Sequence, residues 1–104
     1  MTFQLYPNWK DKVVFSTQGP QPQPLYADDQ FKVIVAGLEP GQSIPQHPEG
    51  LSVYHFLEGQ GTMLVDGEPV EVAPGGTIIL PAGASRGLQA KTRLVFLAAR
   101  VAGF

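Results

Sequence analysis

Few side chains in this sequence can do chemistry. The chain has two histidines, His47 and His55, and no cysteine. His47 stands two residues before Glu49, so on a strand the imidazole and the carboxylate share one face. Both groups are good ligands for zinc, iron or manganese, which makes a divalent transition metal one reading of the pair. His55 lies between Tyr54 and Phe56. Strand alternation turns it away from the face those aromatics occupy, and it joins a metal site only if a bulge reverses it. A structural histidine under a neighbouring strand or subunit is the other reading. Thiolate ligands, disulfides and thiol nucleophiles are excluded by the missing cysteine. The chain also lacks a glycine-rich phosphate loop and an H-E-x-x-H helix.

The elements that position these residues belong to one domain, expected to span 1–104. Hydrophobic residues make up 43% of the chain and charged residues 15%, the balance of a folded globular domain. The net charge is -2 with no basic stripe, so nucleic acid is not expected as a partner. No apolar run approaches the roughly 20 residues of a membrane helix. Residues 1–12 lack the basic start and apolar centre of a signal peptide. A cytoplasmic location away from membranes is the expectation.

Twelve glycines and ten prolines, scattered throughout, break any long helix. Between them recur short β-branched and aromatic runs, which predict an all-β sandwich or barrel. Strands are expected at 12–17, 31–38, 51–58, 61–65, 68–72, 77–80, 86–90 and 93–101. Asp66-Gly67 between two of them is a hairpin turn. The proline-spaced stretch 19–24 reads as a surface connector that stays out of the middle of a sheet.

Two strands are apolar on both faces. Val53 and Leu57 oppose Tyr54 and Phe56, while Leu94, Phe96 and Ala98 oppose Val95, Leu97 and Ala99. A small sandwich should keep one face wet. Either the N-terminal segment, with Phe3, Leu5, Tyr6 and Trp9, or a second subunit must cover the outer face, and a homodimer is expected.

Residues 41–59 and 75–90 resemble the two motifs of the cupins, small double-sheet jelly-roll barrels of the double-stranded β-helix type. The family's first motif is a glycine, five residues, His-x-His, three or four residues, a glutamate, six residues and a glycine. Here Gly41 precedes His47 at that spacing, and the segment ends in Phe56-Leu57-Glu58-Gly59. The second motif is a glycine, five residues, Pro-x-Gly, two residues and a histidine; Gly75 and Pro81-Ala82-Gly83 match it. The short gap between them holds the Asp66-Gly67 hairpin, as in single-domain cupins.

The resemblance implies a metal held by three histidines and a glutamate, and this sequence departs from that set. His47 matches the first histidine and Glu49 stands in place of the second. Counting back from Gly59, Ser52 stands at the glutamate position, and counting on from Gly83, Arg86 stands at the final histidine position. Arginine keeps its proton and cannot ligate a metal, so no cofactor is expected in the usual site. An inward Arg86 calls for an anion, either Glu49 or a bound carboxylate. The reading adopted is a barrel that binds a small polar or anionic molecule among His47, Glu49 and Arg86, with Tyr54, Phe56 and Met63 as pocket wall. The alternatives are a metal-dependent oxygenase or isomerase using His47, Glu49 and His55, and a non-catalytic dimeric module with a filled barrel.

Overall fold

The computed structural model describes residues 2–102. They form nine strands: β1 Gln23–Ala27, β2 Phe31–Leu38, β3 Ser43–Pro48, β4 Ser52–Glu58, β5 Gly61–Val65, β6 Glu68–Val72, β7 Thr77–Leu80, β8 Ser85–Ala90 and β9 Leu94–Val101. Every pairing is antiparallel. One sheet has the order β1-β2-β9-β4-β7 and the other β3-β8-β5-β6. The protein is thus all-β, as its turn-punctuated sequence predicts.

The two sheets face each other across one apolar core. Alternation puts the even-numbered residues of β2, β4 and β9 inside, among them Ile34, Leu38, Tyr54, Phe56 and Phe96. Met63, Leu88 and Val72 meet them from the other sheet. The Asp66-Gly67 turn closes the β5–β6 hairpin with both residues at positive φ, 49° and 84°, the twist that a two-residue loop requires. Gly59, at φ 81°, ends β4 where the Arg93 carbonyl leaves no room for a Cβ.

Three segments differ from the sequence expectation. Residues 12–17 form no strand. Val13 and Phe15 instead lie against the outer face of β2, where a side chain at Gly37 would collide with both. The stretch 19–24 is only partly connector, because Gln23 and Pro24 open β1. β3 contains Pro45 and Pro48 and was not expected as a strand. Both of these strands lie at sheet edges, where a missing N–H breaks no ladder. Each also carries a register irregularity.

The N-terminal segment covers half of the outer face of the five-stranded sheet. Val35 and Val95 point outward yet are fully buried at the Gly37 end. The other half stays open. Phe31 pairs with Val101, Val53 pairs with Ala99 and Ile79, and Leu51 adjoins Val101. All but Ala99 are exposed, Ile79 at 66%.

Candidate functional site

Glu49 is where the polar side chains at one end of the barrel meet. It follows β3 directly, and its carboxylate is 14% exposed. One oxygen, Oε1, pairs with Nη1 of Arg100 from β9. The same oxygen lies 3.4 Å from Nε2 of His47. The other, Oε2, accepts a hydrogen bond from the Tyr54 hydroxyl at 3.3 Å. His47 is held in turn at 2.9 Å by the Pro45 carbonyl. A carbonyl can only accept, so Nδ1 carries the proton and Nε2 is the atom turned toward Glu49. Burial raises the pKa of the Tyr54 phenol, the negative charge of Glu49 raises it further, and the nearby Arg86 charge works against both.

These groups border a cavity of about 170 Å³ at the barrel mouth. Ile34, Ile44, Phe96 and Pro22 give it apolar walls, and Lys32 adds a second permanent cation beside Arg100. Lys32 and Arg100 are direct cross-strand partners on β2 and β9. Like charges in that position repel. Glu49 compensates Arg100, whereas Lys32 has no ion-pair partner among the described residues.

Arg86 has other partners than expected. It points into the barrel from β8 but is only 1% exposed. The expected ion pair with the Glu49 carboxylate is not formed: Arg86 reaches only the main-chain oxygen of Glu49, at 3.4 Å. Its closest partners are the Ser52 hydroxyl at 2.6 Å and the Ala84 carbonyl at 2.8 Å. The carboxylate turns the other way, toward β9 and the mouth.

The remaining sequence candidates separate. Tyr54 lines the cavity as expected. Met63 is buried in the core and Phe56 borders a different depression, so neither forms this wall. That depression, of about 400 Å³, has Glu71 as the one titratable group in its lining. Glu71 is exposed and is bonded to Thr62 at 2.9 Å. The larger hollow therefore carries less chemistry than the smaller one. His55 faces away from the barrel interior and is bonded to the Thr77 hydroxyl of β7 at 2.6 Å. It is not brought to His47 and Glu49.

Sequence reading passed over Arg100 and Lys32. Parity could have found both: Arg100 continues the inward series Leu94, Phe96, Ala98, and Lys32 precedes inward Ile34 by two. The residues present do not fit a divalent metal. Among the described residues no group of three or more histidines, aspartates or glutamates stands together. A guanidinium is sealed beside Ser52, whose hydroxyl is already engaged.

Two facing antiparallel sheets with a charged cluster at one mouth define a double-stranded β-helix barrel. Residues 34–99 match the cupin domain family, and the chain belongs to it. Among solved structures it is similar to a conserved protein of unknown function from Streptococcus pyogenes, with TM-score 0.86, 24% identity, and 100% of this chain and 92% of that one covered. An RmlC-like cupin from Desulfovibrio desulfuricans matches with TM-score 0.84 and 23% identity over 97% of each chain. A Thermus thermophilus protein matches with TM-score 0.85 and 23% identity over 93% of this chain and 96% of that one. At these identities the likeness is one of fold. No curated protein matches the chain.

Proposed function

We propose that the chain binds a compact anionic molecule, a small carboxylate above all, at the mouth of its barrel. The observation that carries this reading is the Lys32–Arg100 cross-strand pair facing the cavity with Glu49 as its one carboxylate. Two permanent cations against one anion leave an excess positive charge in a partly desolvated site, where it attracts a ligand more strongly than on an open surface. At about 30 Å³ per water-sized group, the 170 Å³ cavity has room for only a few. The apolar walls suit a short hydrocarbon body, and the Tyr54 hydroxyl adds a hydrogen-bond donor at the charged end.

Thermal unfolding against a panel of short-chain carboxylates, with matched amines as controls, tests the reading. At one hundred times Kd a ligand adds about 2.7 kcal/mol of stability, so a carboxylate should raise Tm saturably while the amines do not. Arg100→Gln should weaken that response at least tenfold. An equal response to amines, or no response to any carboxylate at millimolar concentration, refutes it.

We also propose that a second copy of the chain covers the open half of the outer sheet face. The supporting observation is the exposed row of Phe31, Val101, Leu51, Val53 and Ile79, on the order of 400 Å² of apolar surface. Alone this falls short of the roughly 800 Å² that each partner of a stable interface contributes. The exposed Phe3 and Leu5 of the N-terminal segment are apolar surface available to make up the difference. Sedimentation at micromolar concentration should give twice the 11.2 kDa of one chain. A monomer alone contradicts the proposal.

A further inference from the structure

Among the described residues Arg86 is the largest side chain that is fully buried, and it carries a charge. An isolated buried cation is strongly unfavourable unless its surroundings replace the water it has lost. No carboxylate among the described residues pairs with it. Five oxygen atoms surround it instead. Nε and Nη2 donate to the Ala84 carbonyl at 3.1 and 2.8 Å. Nη1 donates to the Ser52 hydroxyl at 2.6 Å and the Gly50 carbonyl at 3.4 Å. Nη2 also reaches the carbonyls of Glu49 and Pro81, both at 3.4 Å. Every N–H of the guanidinium is thereby accounted for. The Ser52 hydroxyl donates onward to Gly50 at 2.8 Å, which fixes it as an acceptor toward Arg86.

The oxygens come from two stretches of chain far apart in sequence, 49–52 and 81–84. One stretch carries Glu49 into the mouth cavity. The other is the turn between β7 and β8. Drawing oxygens from separate segments around one positive charge is what a bound hard cation does. Here the cation is covalently part of β8. Ser52 and Arg86 also stand at two of the four positions where the family's motifs place metal ligands, and they touch each other. His47 is the register partner of Arg86 across β3 and β8.

We infer that Arg86 is a built-in structural cation, which cross-links the 49–52 and 81–84 segments where a metal would otherwise do so, and which keeps divalent metals out of the barrel. Its burial also keeps it from a ligand, so anion binding falls to Arg100 nearer the mouth. The inference does not depend on which molecule the cavity takes.

Unfolding and metal titration of chelator-treated protein test it together. Arg86→Met leaves the carbonyls without donors and should lower Tm by about 10 °C or more, or yield no folded protein. Arg86→Lys keeps the charge but not the planar fork, and should melt about 5 °C or more below wild type. Wild type should take up no zinc or nickel at micromolar concentration. Ser52→Glu with Arg86→His should bind either metal at least tenfold more tightly than wild type. If Arg86→Met or the double variant does not fold, Arg86→Lys and the wild-type titration carry the test. An Arg86→Lys variant that melts within about 2 °C of wild type overturns the structural role. One equivalent of zinc or nickel bound by wild type and lost in His47→Ala overturns the exclusion of metal.

Discussion

Replacing Glu49 by glutamine should weaken the fold and strengthen anion binding at once. The glutamine keeps the shape and an acceptor for Tyr54, but removes the charge facing Arg100. That pair is neither a surface bridge nor a sealed one: the side chains are 14% and 29% exposed. Surface pairs contribute up to about 1 kcal/mol, and breaking fully buried ones costs about 3–5 kcal/mol. A coupling of about 1–2 kcal/mol between Glu49 and Arg100 is therefore expected. A double-mutant cycle in urea with Glu49→Gln, Arg100→Met and both together isolates that term. At 4–8 °C per kcal/mol, Glu49→Gln alone should lower Tm by roughly 5–10 °C. A carboxylate ligand must compete with Glu49 for Arg100, so its removal should tighten carboxylate binding by about tenfold, the equivalent of 1.4 kcal/mol. A coupling below about 0.3 kcal/mol, or anion binding weakened by Glu49→Gln, would refute the account of Glu49 as the internal counter-ion of Arg100.

The pKa of Tyr54 is raised above the ordinary tyrosine value of about 10 by burial and by the charge of Glu49. The unfolded chain then loses its proton first as pH rises, so this contribution to stability is intact below about pH 10 and declines above it. Tyr54→Phe should flatten the alkaline arm of a Tm-against-pH curve, and Glu49→Gln should shift the phenol absorbance titration downward. Gly59→Ala places a side chain at φ 81° against the Arg93 carbonyl and should cost at least about 2 kcal/mol in denaturant unfolding or prevent soluble expression. Ile79→Lys puts a charge at the β7 end of the open apolar row, on its most exposed side chain, and should convert the expected dimer to monomer in sedimentation, with Tm measured at high dilution unchanged within about 3 °C.

Much of the fold was legible because its signals are local. A strand alternates with a period of two whatever surrounds it, so the inward aromatics of β4 and the outward turn of His55 follow from Tyr54-His55-Phe56 alone. The Asp66-Gly67 turn encodes its own hairpin. The glycine, Pro-x-Gly and His47 spacings carry the cupin family. Prolines in β1 and β3 hid those strands, because a proline's compatibility with a ladder depends on whether the strand lies at an edge. Residues 12–17 have strand composition but no ladder, since contact with the Gly37 face takes up their apolar side chains.

The site divides in the same way. Sequence placed His47 beside Glu49 and turned Arg86 inward, since both follow from spacing along one strand or one motif. It named Arg86 as the partner of the Glu49 carboxylate and passed over Arg100, which holds that place. Glu49 and Arg100 lie 51 residues apart, and only the pairing of β9 with β2 and β4 sets Arg100 beside the mouth. Main-chain oxygens from two loops solvate Arg86, and no side-chain pattern announces a carbonyl. Side-chain direction is a property of the strand and was readable. Which charges neutralise which is a property of three-dimensional distance and burial, because the strength of an ion pair depends on separation and on the water excluded around it. That was decided only when the two sheets closed on each other.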